Sequence, residues 1–429
     1  MEGSVSAVTM PVLTVEQLAP VVRRALGVPA ARPLEWSCEP LDVDLANPLT
    51  AGLYRVVGSA EVARGAVAPW RVILKVVEHP DFTGTSLESG YAELPQHWNY
   101  WRREVLAYRS GLLERFTWPL RAVRCWGTED VDDTTVRVWL EELDATVRRP
   151  RWSLEELAAS AYDWGAFSAQ GVAMVREVEA RPWAARRWLR GWVGTARVRG
   201  CDHASDHDGC WEHPLLRGRL PASARASCAE LMGSAAVLLS RLEAMPRTVA
   251  HHDTQWNNVF RETQSEGRRT VAIDWSFLGT AAVGQDLGHH IAINLFHDAV
   301  RPGDAEEHEQ SATEAYLAGL RAYGWHGADE DVRFAGTATG ALQTVSFAAC
   351  FIARLCPDFG AVHQWPEELA EERSTDVDAA MDTWCETFRY LLTLGERATR
   401  RHAVRRGSPP SRSARALQRR PAGQRRGTG

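Results

Sequence analysis

The sequence predicts an α+β protein, with strands gathered toward the N-terminus and helices dominating the remainder. Two observations predict this. Between Leu34 and Leu140 the apolar residues fall in short alternating runs separated by turns, as in half-buried strands. From Ser153 onward their spacing lengthens to three and four residues, as in amphipathic helices. A third observation marks an exception inside the helical part. Residues 248–275 read apolar run, polar loop, apolar run, turn, apolar run, which predicts a loop followed by a β-hairpin.

The elements follow in order. Residues 1–12 carry no periodic pattern. Thr14-Val15-Glu16-Gln17 has the form of a capping box, and the helix it opens should stop at Gly27. Alternation at residues 34–36, 43–45 and 53–57 predicts strands, joined through the turn-rich segment 46–52. Residues 69–77 form the clearest strand of this half. After a polar loop (81–96), residues 97–116 read as a helix. Trp98, Trp101, Val105, Tyr108 and Leu112 make one buried stripe on it, and Glu104 borders that stripe. Strands at 122–126 and 136–140 flank the acidic turn 129–133, and residues 139–143 lead out of the sheet. Ser153-Leu154-Glu155-Glu156 opens a long helix. Further helices are expected at 182–193, 222–242, 286–295, 312–323, 333–355 and 376–394.

The hairpin stretch carries the chemistry. It places Asp253, Asn258 and Asp274 at strand ends, where they can converge. Two carboxylates and an amide oxygen at one point suit a hard cation such as Mg²⁺, which takes few protein oxygens and fills its remaining positions with phosphate and water. Polar residues are also ordinary turn formers, so a second signal matters, and the basic residues supply it. Of 49 basic residues 48 are Arg, and Lys75 is the only lysine. In so Arg-biased a chain, a retained lysine marks a place that needs a compact ammonium on a flexible stem.

His251-x-Asp253-x4-Asn258, followed shortly by Ile273-Asp274, resembles the catalytic and metal loops of the kinase superfamily. Trp275 stands where a protein kinase has Phe-Gly, and no Ala-Pro-Glu segment follows. In these respects the chain looks like the aminoglycoside phosphotransferase family of small-molecule kinases. The resemblance implies a bilobal protein-kinase-like fold, with an N-lobe antiparallel sheet plus C-helix and a mainly helical C-lobe. It divides the chain into a nucleotide-binding lobe with a leading helix (1–143), a helical lobe with the acceptor pocket (144–396) and a disordered basic tail (397–429). It implies ATP and Mg²⁺ as cofactors. Asp253 would take the acceptor proton, and His251 would support the loop. Asn258 and Asp274 would hold the metal, and Asp286 would brace the loop from below. Val72-Ile73-Leu74-Lys75 resembles the strand whose lysine holds the α- and β-phosphates, and Glu104 would pair with that lysine. Gly52 would lie in a phosphate-covering loop, with Glu141 and Leu143 in the hinge that meets adenine. Many members of the family have Gly where this chain has His252. The reaction implied is transfer of the γ-phosphate to a hydroxyl of a small molecule, aminoglycoside-like or another amino or sugar alcohol. A non-catalytic kinase-like nucleotide-binding module is the alternative. The presence of Lys75, Glu104, Asp253, Asn258 and Asp274 together disfavours it.

Composition sets the remaining bounds. The 429 residues suffice for two or three domain-sized units. The chain carries −6 overall and the eleven arginines after Glu396 carry +11, so residues 1–396 carry −17. So acidic a body favours cationic ligands over nucleic acid, or is simply a solubilising surface. Acids after Gly288 (Asp298, Asp304, Glu306, Glu307, Asp358, Glu367 and Glu368) could bind ammonium groups or decorate helix surfaces. No run approaches a membrane span of ~18 apolar residues, and the N-terminus has no signal-peptide pattern, so a cytoplasmic protein is expected. Eight scattered cysteines read as reduced thiols. Cys201, His203, His207 and Cys210 crowd a short segment (200–213). Their spacing matches no common zinc finger, and an irregular exposed loop is expected there.

Overall fold

The computed structural model describes residues 10–41, 47, 49–79, 93–116, 118–143, 152–265, 267–356, 359 and 364–406. The expected strand at 43–45, most of the polar loop after Asp81, Asp358 and the tail beyond Arg406 lie outside these residues.

Helix α1 (Val15–Leu26) starts at the Thr14/Gln17 capping box and stops at Gly27, whose φ of 67° is the left-handed value glycine adopts without strain. Strands β1 (Arg32–Pro40), β2 (Thr50–Ala63) and β3 (Ala66–Glu78) follow. After them come the short helix α2 (Arg103–Arg109), strand β4 (Leu120–Ala122) and the hairpin β5 (Cys125–Asp130)–β6 (Thr135–Glu141). Among the described residues five strands form an antiparallel sheet in the order β1-β2-β3-β6-β5. Side-chain alternation gives the sheet two faces. Tyr54, Val56, Trp70, Val72, Leu74 and Trp139 pack beneath α1. Ile73, Val77, Val138 and Leu140 face the other way, toward α2. Lys75 falls between Ile73 and Val77, so the period of the strand points it at α2.

Three local expectations need correction. Gly52 lies inside β2, paired opposite Val76, and not in the loop before the strand. A Cβ at Gly52 would lie 2.6 Å from the ring of Tyr54, so the glycine there makes room for an aromatic ring. The helix expected over 97–116 is α-helical only from Arg103 to Arg109. The aromatic residues before it pack as a coiled lead-in. Trp98 joins a C-terminal cluster with Trp188, while Trp101, Val105, Tyr108 and Leu112 join the central one. The strand expected over 122–126 divides. Its first part, β4, pairs in parallel with a strand of the hairpin stretch and does not join the N-terminal sheet.

The remainder is mainly helical. It contains α3 (Leu154–Val172), opened by a Ser153/Glu156 capping box, then α4 (Val175–Glu179), α5 (Trp188–Ala196), α6 (Asp202–Asp206), α7 (Asp208–Trp211) and α8 (Ala224–Glu243). Segment 200–213, expected as an irregular loop, is therefore largely helical. Strand β7 (Arg247–Ala250), the hairpin β8 (Val259–Gln264)–β9 (Gly267–Ala272) and β10 (Gly279–Ala282) form the predicted β island. Helices α9 (Gln285–Phe296), α10 (Ala305–Ala322), α11 (Asp329–Arg354), α12 (Trp365–Glu372) and α13 (Val377–Arg406) complete the chain. Helix α11 is long and apolar enough to cross a membrane by composition, yet 89% of that window is buried inside the protein, so it reads as a core helix. Its backbone touches α9, because a Cβ on Gly288 would lie 2.2 Å from the carbonyl oxygen of Gly336. The basic segment after Glu396 does not begin as disordered chain. Helix α13 continues to Arg406, and Arg397 pairs with Glu309 at 2.6 Å.

One buried side chain ties the two parts together. Arg103, at the start of α2, is fully buried and faces only carbonyls. Its guanidinium donates to Trp183 O (2.8 Å), Trp98 O (2.7 Å), Ser276 O (3.0 Å), His97 O (2.5 Å) and Pro95 O (3.3 Å). Five N–H donors in a rigid fork meet five acceptors drawn from three separate segments. Arg103→Ala should leave those carbonyls dry and unpaired, at a cost on the order of 3–5 kcal/mol. Urea unfolding followed by tryptophan fluorescence would measure it. Arg103→Lys should recover less than half, because an ammonium has three donors and no fork.

Candidate active site

Four elements bring the predicted residues together. Lys75 arrives on β3, Glu104 on α2, Asp274 just past β9, and Asp253 with Asn258 on the loop between β7 and β8. Lys75 Nζ lies 2.6 Å from Glu104 Oε2 and 3.2 Å from Asp274 Oδ1. Burial opposes the ammonium, but Asp274 and Glu104 outweigh it and hold Lys75 above its ordinary pKa, so it stays charged. Burial likewise opposes the Asp274 carboxylate. The Lys75 charge overcomes this and holds its pKa below the usual carboxylate value. Asp274 takes a left-handed φ of 57°, which Asp tolerates better than most residues. The next N–H, of Trp275, donates to Glu104 Oε1 at 3.3 Å. Glu104 thus contacts both the lysine and the backbone beside Asp274.

The catalytic-type loop is pinned from below. Asp286, the second residue of α9, accepts from the N–H groups of His251 and His252 at 3.0 Å each, and its carbonyl accepts from the Thr254 hydroxyl at 2.9 Å. His251 Nδ1 accepts from the Asp253 N–H at 3.2 Å, so the ring's proton sits on Nε2 and donates to Ile273 O at 2.9 Å. Burial pushes His251 down to about 4, which keeps the imidazole neutral and this bridge intact. The ring therefore joins the loop bearing Asp253 to the strand end bearing Asp274. His252 takes φ 67°, where glycine would be unstrained. Its ring stacks on Trp188, with centroids 5.1 Å apart, and that contact compensates a left-handed strain of about 1–2 kcal/mol.

Asp253 itself is held on one oxygen. Asn258 Nδ2 donates to Asp253 Oδ2 at 2.8 Å, and Gln255 Nε2 does so at 3.3 Å. Burial first, then the nearby Asp274 charge, push Asp253 up to about 8; the amides and Lys75 only partly offset this. Its second oxygen lies 3.2 Å from His289 Nε2. His289 escaped the sequence reading. It stands three residues beyond Asp286 on α9, so the two share a helix face, and that spacing could have revealed it. Asn294 was missed as well; its Oδ1 accepts from the Trp256 N–H at 2.9 Å and anchors the far end of the loop.

The other predicted residues are placed as follows. Glu141 ends β6 with its carboxylate on Arg121 (2.7 Å) and its N–H donating to Arg124 O (2.9 Å). Leu143 packs at the edge of the central core cluster. Gly52 lies in β2, on the strand that pairs with β3. Of the acids named for an acceptor pocket, Asp298 pairs with Arg373, while Asp304, Glu306, Glu307, Glu367 and Glu368 are exposed. Of the four candidate zinc ligands, Cys201 parts from the other three. Cys201 turns toward Cys228, away from Cys210.

For a magnesium–nucleotide pair the donor set fits in kind. Asp274 keeps 27% of its side chain exposed beside Asn258 and Asp253, giving oxygen donors only, and a charged lysine stands next to them.

No family model matches the chain, and no curated protein matches it by sequence. Several solved structures are similar at low identity. A spectinomycin phosphotransferase in complex with ADP and spectinomycin is 9% identical and covers 89% of this chain and 99% of its own, at a TM-score of 0.44. An amicoumacin kinase in complex with AMP-PNP and Ca²⁺ is 12% identical, covering 80% and 87%, at 0.43. An aminoglycoside phosphotransferase from Streptomyces rimosus is 16% identical, covering 79% and 99%, at 0.35.

Asp286→Asn replaces one accepting oxygen by an amide group that meets an N–H head-on. It should lower the unfolding free energy by about 2–3 kcal/mol. A urea midpoint equal to wild type would show that the carboxylate does not hold the loop.

Proposed function

We propose that this protein is a small-molecule kinase of the aminoglycoside phosphotransferase type, moving the γ-phosphate of ATP to a hydroxyl of its acceptor. The observation that carries the proposal is the convergence of Lys75, Glu104, Asp253, Asn258 and Asp274, from four elements, on one partly open spot. In this reading residues 1–143 hold the nucleotide and residues 144–396 hold the acceptor, and the protein works where cytoplasmic ATP is supplied. Lys75, already ionised and aimed by Glu104, binds the phosphates. Asn258 and Asp274 hold Mg²⁺, which when bound neutralises charge on the phosphate oxygens.

Asp253 is the base. Its raised pKa gives it more affinity for a proton than an ordinary carboxylate has, which suits it to accept one from an alcohol as the new bond forms. Asn258 and Gln255 fix the oxygen Oδ2, and His289 faces Oδ1. Next to Asp253, His252, Trp188 and Trp192 form a stack with centroid separations of 5.1 and 5.4 Å, and Phe277 closes it at 5.1 Å from Trp188. Trp192 and Phe277 keep partial exposure. These rings offer a wall for a sugar face or a cationic amine. The exposed acids of α10 and α12 are surface charge in this reading.

An ATP-consumption screen over aminoglycosides, macrolides, amino alcohols and sugars tests the proposal. Turnover with a member of one class is expected. No turnover with any, together with no Mg·ATP binding, would leave a kinase-like scaffold. With an acceptor in hand, Asp253→Asn should lower kcat at least about 10³-fold, and Lys75→Ala at least about 10²-fold. Circular dichroism of both variants should match wild type. The pH profile has a defined sign. The base must be ionised, so kcat/KM should fall as pH drops through the Asp253 pKa, which stands near 8 in the free enzyme. In kcat, which reports the filled site, the limb should move to lower pH, because a divalent cation on Asp274 removes that residue's push on Asp253. An acid limb at ordinary carboxylate pH in both profiles would remove Asp253 from the role.

A further inference from the structure

Away from this site, three metal-type side chains remote in sequence come together. One ligand atom each from His203, Cys210 and Cys356 lies within 4.8 Å of the other two. His203 belongs to α6 and Cys210 to α7, while Cys356 stands just past the end of α11. Cys210 is fully buried and Cys356 is 7% exposed. A tetrahedral zinc ion with Zn–S of about 2.3 Å and Zn–N of about 2.0 Å needs S···S of about 3.8 Å and S···N of about 3.5 Å. The separations exceed that geometry by at most about 1.0 Å for sulfur–sulfur and about 1.3 Å for sulfur–nitrogen.

We propose that His203, Cys210 and Cys356 bind Zn²⁺ as a structural site, with its fourth position on the exposed side where His207 stands. A further observation fits. The segment carrying His203 and Cys210 is held in place by side chains around it. Arg225 on α8 donates to Ser205 O (3.0 Å) and Asp206 O (3.1 Å) and pairs with Asp208, while Trp211 Nε1 donates to Ala204 O at 2.6 Å. Ligands held by their surroundings lose little freedom on binding. The His203 ring lies 4.1 Å from that of His207 and 4.9 Å from that of Phe359, which leaves the exposed side polar and the other side apolar.

The local sequence alone points to the wrong set. Cys201 sits near the histidines in the chain, but its thiol is hydrogen-bonded with Cys228 inside the core. The third ligand comes from more than a hundred residues downstream. Binding requires each coordinating thiol to release its proton and the imidazole to be neutral; no electrons are exchanged.

The full chain, purified under reducing conditions and dialysed, should retain about one zinc per chain by elemental analysis. Cobalt(II) loaded in place of zinc should show thiolate-to-cobalt charge-transfer absorption. Cys210→Ser and Cys356→Ser should each weaken zinc binding by at least about 100-fold, and Cys201→Ser should retain it. A wild-type chain holding less than about a tenth of an equivalent overturns the site. So does a missing thiolate band, a Cys210–Cys356 disulfide in the reduced preparation, or a Cys201→Ser variant that loses zinc as fully as Cys210→Ser. The cobalt spectrum of wild type decides the matter even where a serine variant fails to fold.

Discussion

The candidate site depends on one ammonium shared by two carboxylates across the junction of sheet and helices. Lys75 is within 3.2 Å of both Glu104 and Asp274, and all three are shielded from water to differing degrees. Such a cluster is expensive to desolvate and is a poor source of stability. What it supplies is placement. Its charge is also unbalanced, since one cation faces two carboxylates and Asp253 stands close by as a third. A triphosphate entering this pocket adds more negative charge. The site can accept it only with additional positive charge, and the partly exposed oxygens of Asp274 and its neighbours are where a divalent cation would supply that. Burial first, and then the same excess of negative charge, raise the pKa of Asp253.

Around this cluster the protein uses its two kinds of cation differently. Lysine appears once, where a compact charge must reach two carboxylates and leave room for a ligand. Arginine appears in the interior as Arg103, where a planar fork can satisfy five carbonyls at once and nothing is meant to move. Arg103 and Glu104 are adjacent on one short helix. Arg103 bolts α2 to the turn around Ser276, and Glu104 contacts the N–H of Trp275, so two consecutive side chains fix α2 against the residues flanking Asp274. That explains how seven residues of helix suffice where the sequence suggested about twenty.

Legibility of the sequence followed the range of the interactions. Capping boxes at Thr14 and Ser153, strand alternation around Lys75 and the hairpin after Asn258 are set by neighbours in the chain, and they could be read directly. Lys75 was conspicuous because it is the sole lysine, whereas Arg103 was hidden among 48 arginines. Residues 97–102 carry a helical spacing of tryptophans, yet those rings serve two different clusters, and tertiary packing overrode the period. Gly52 looked like a loop glycine because turn residues precede it; its reason is the ring of Tyr54. The helix α13 runs through an arginine-rich stretch because Glu309 on α10 meets Arg397, a contact that composition cannot show. Asp286 was legible through its motif and His289 was not, although both meet the loop from the same face of α9.

The proposed zinc cluster and the proposed acceptor wall belong to one continuous piece of structure. Helix α5 presents Trp188 and Trp192 beside His252, and the chain runs from its end through a turn kinked at Gly200, Arg197–Cys201, into α6. Gly200 in that turn has φ 140° and packs against Phe359 and Ala353. The thiol of Cys350 on α11 donates to Ala196 O at 3.1 Å, and Trp192 Nε1 donates to Gln343 O at 3.2 Å. Every one of these contacts, like Cys356, lies on α11 or just beyond its end. In the proposed reading, a metal joining α6 and α7 to the end of α11 would close a loop whose other closure is the contact of Trp192 with Gln343 on α11. If the ion were lost, its direct effect would fall on α6 and α7, and the rings would be held by the remaining contacts to α11. The Lys75 cluster, fixed by Arg103 and Asp286 through separate elements, would keep its geometry.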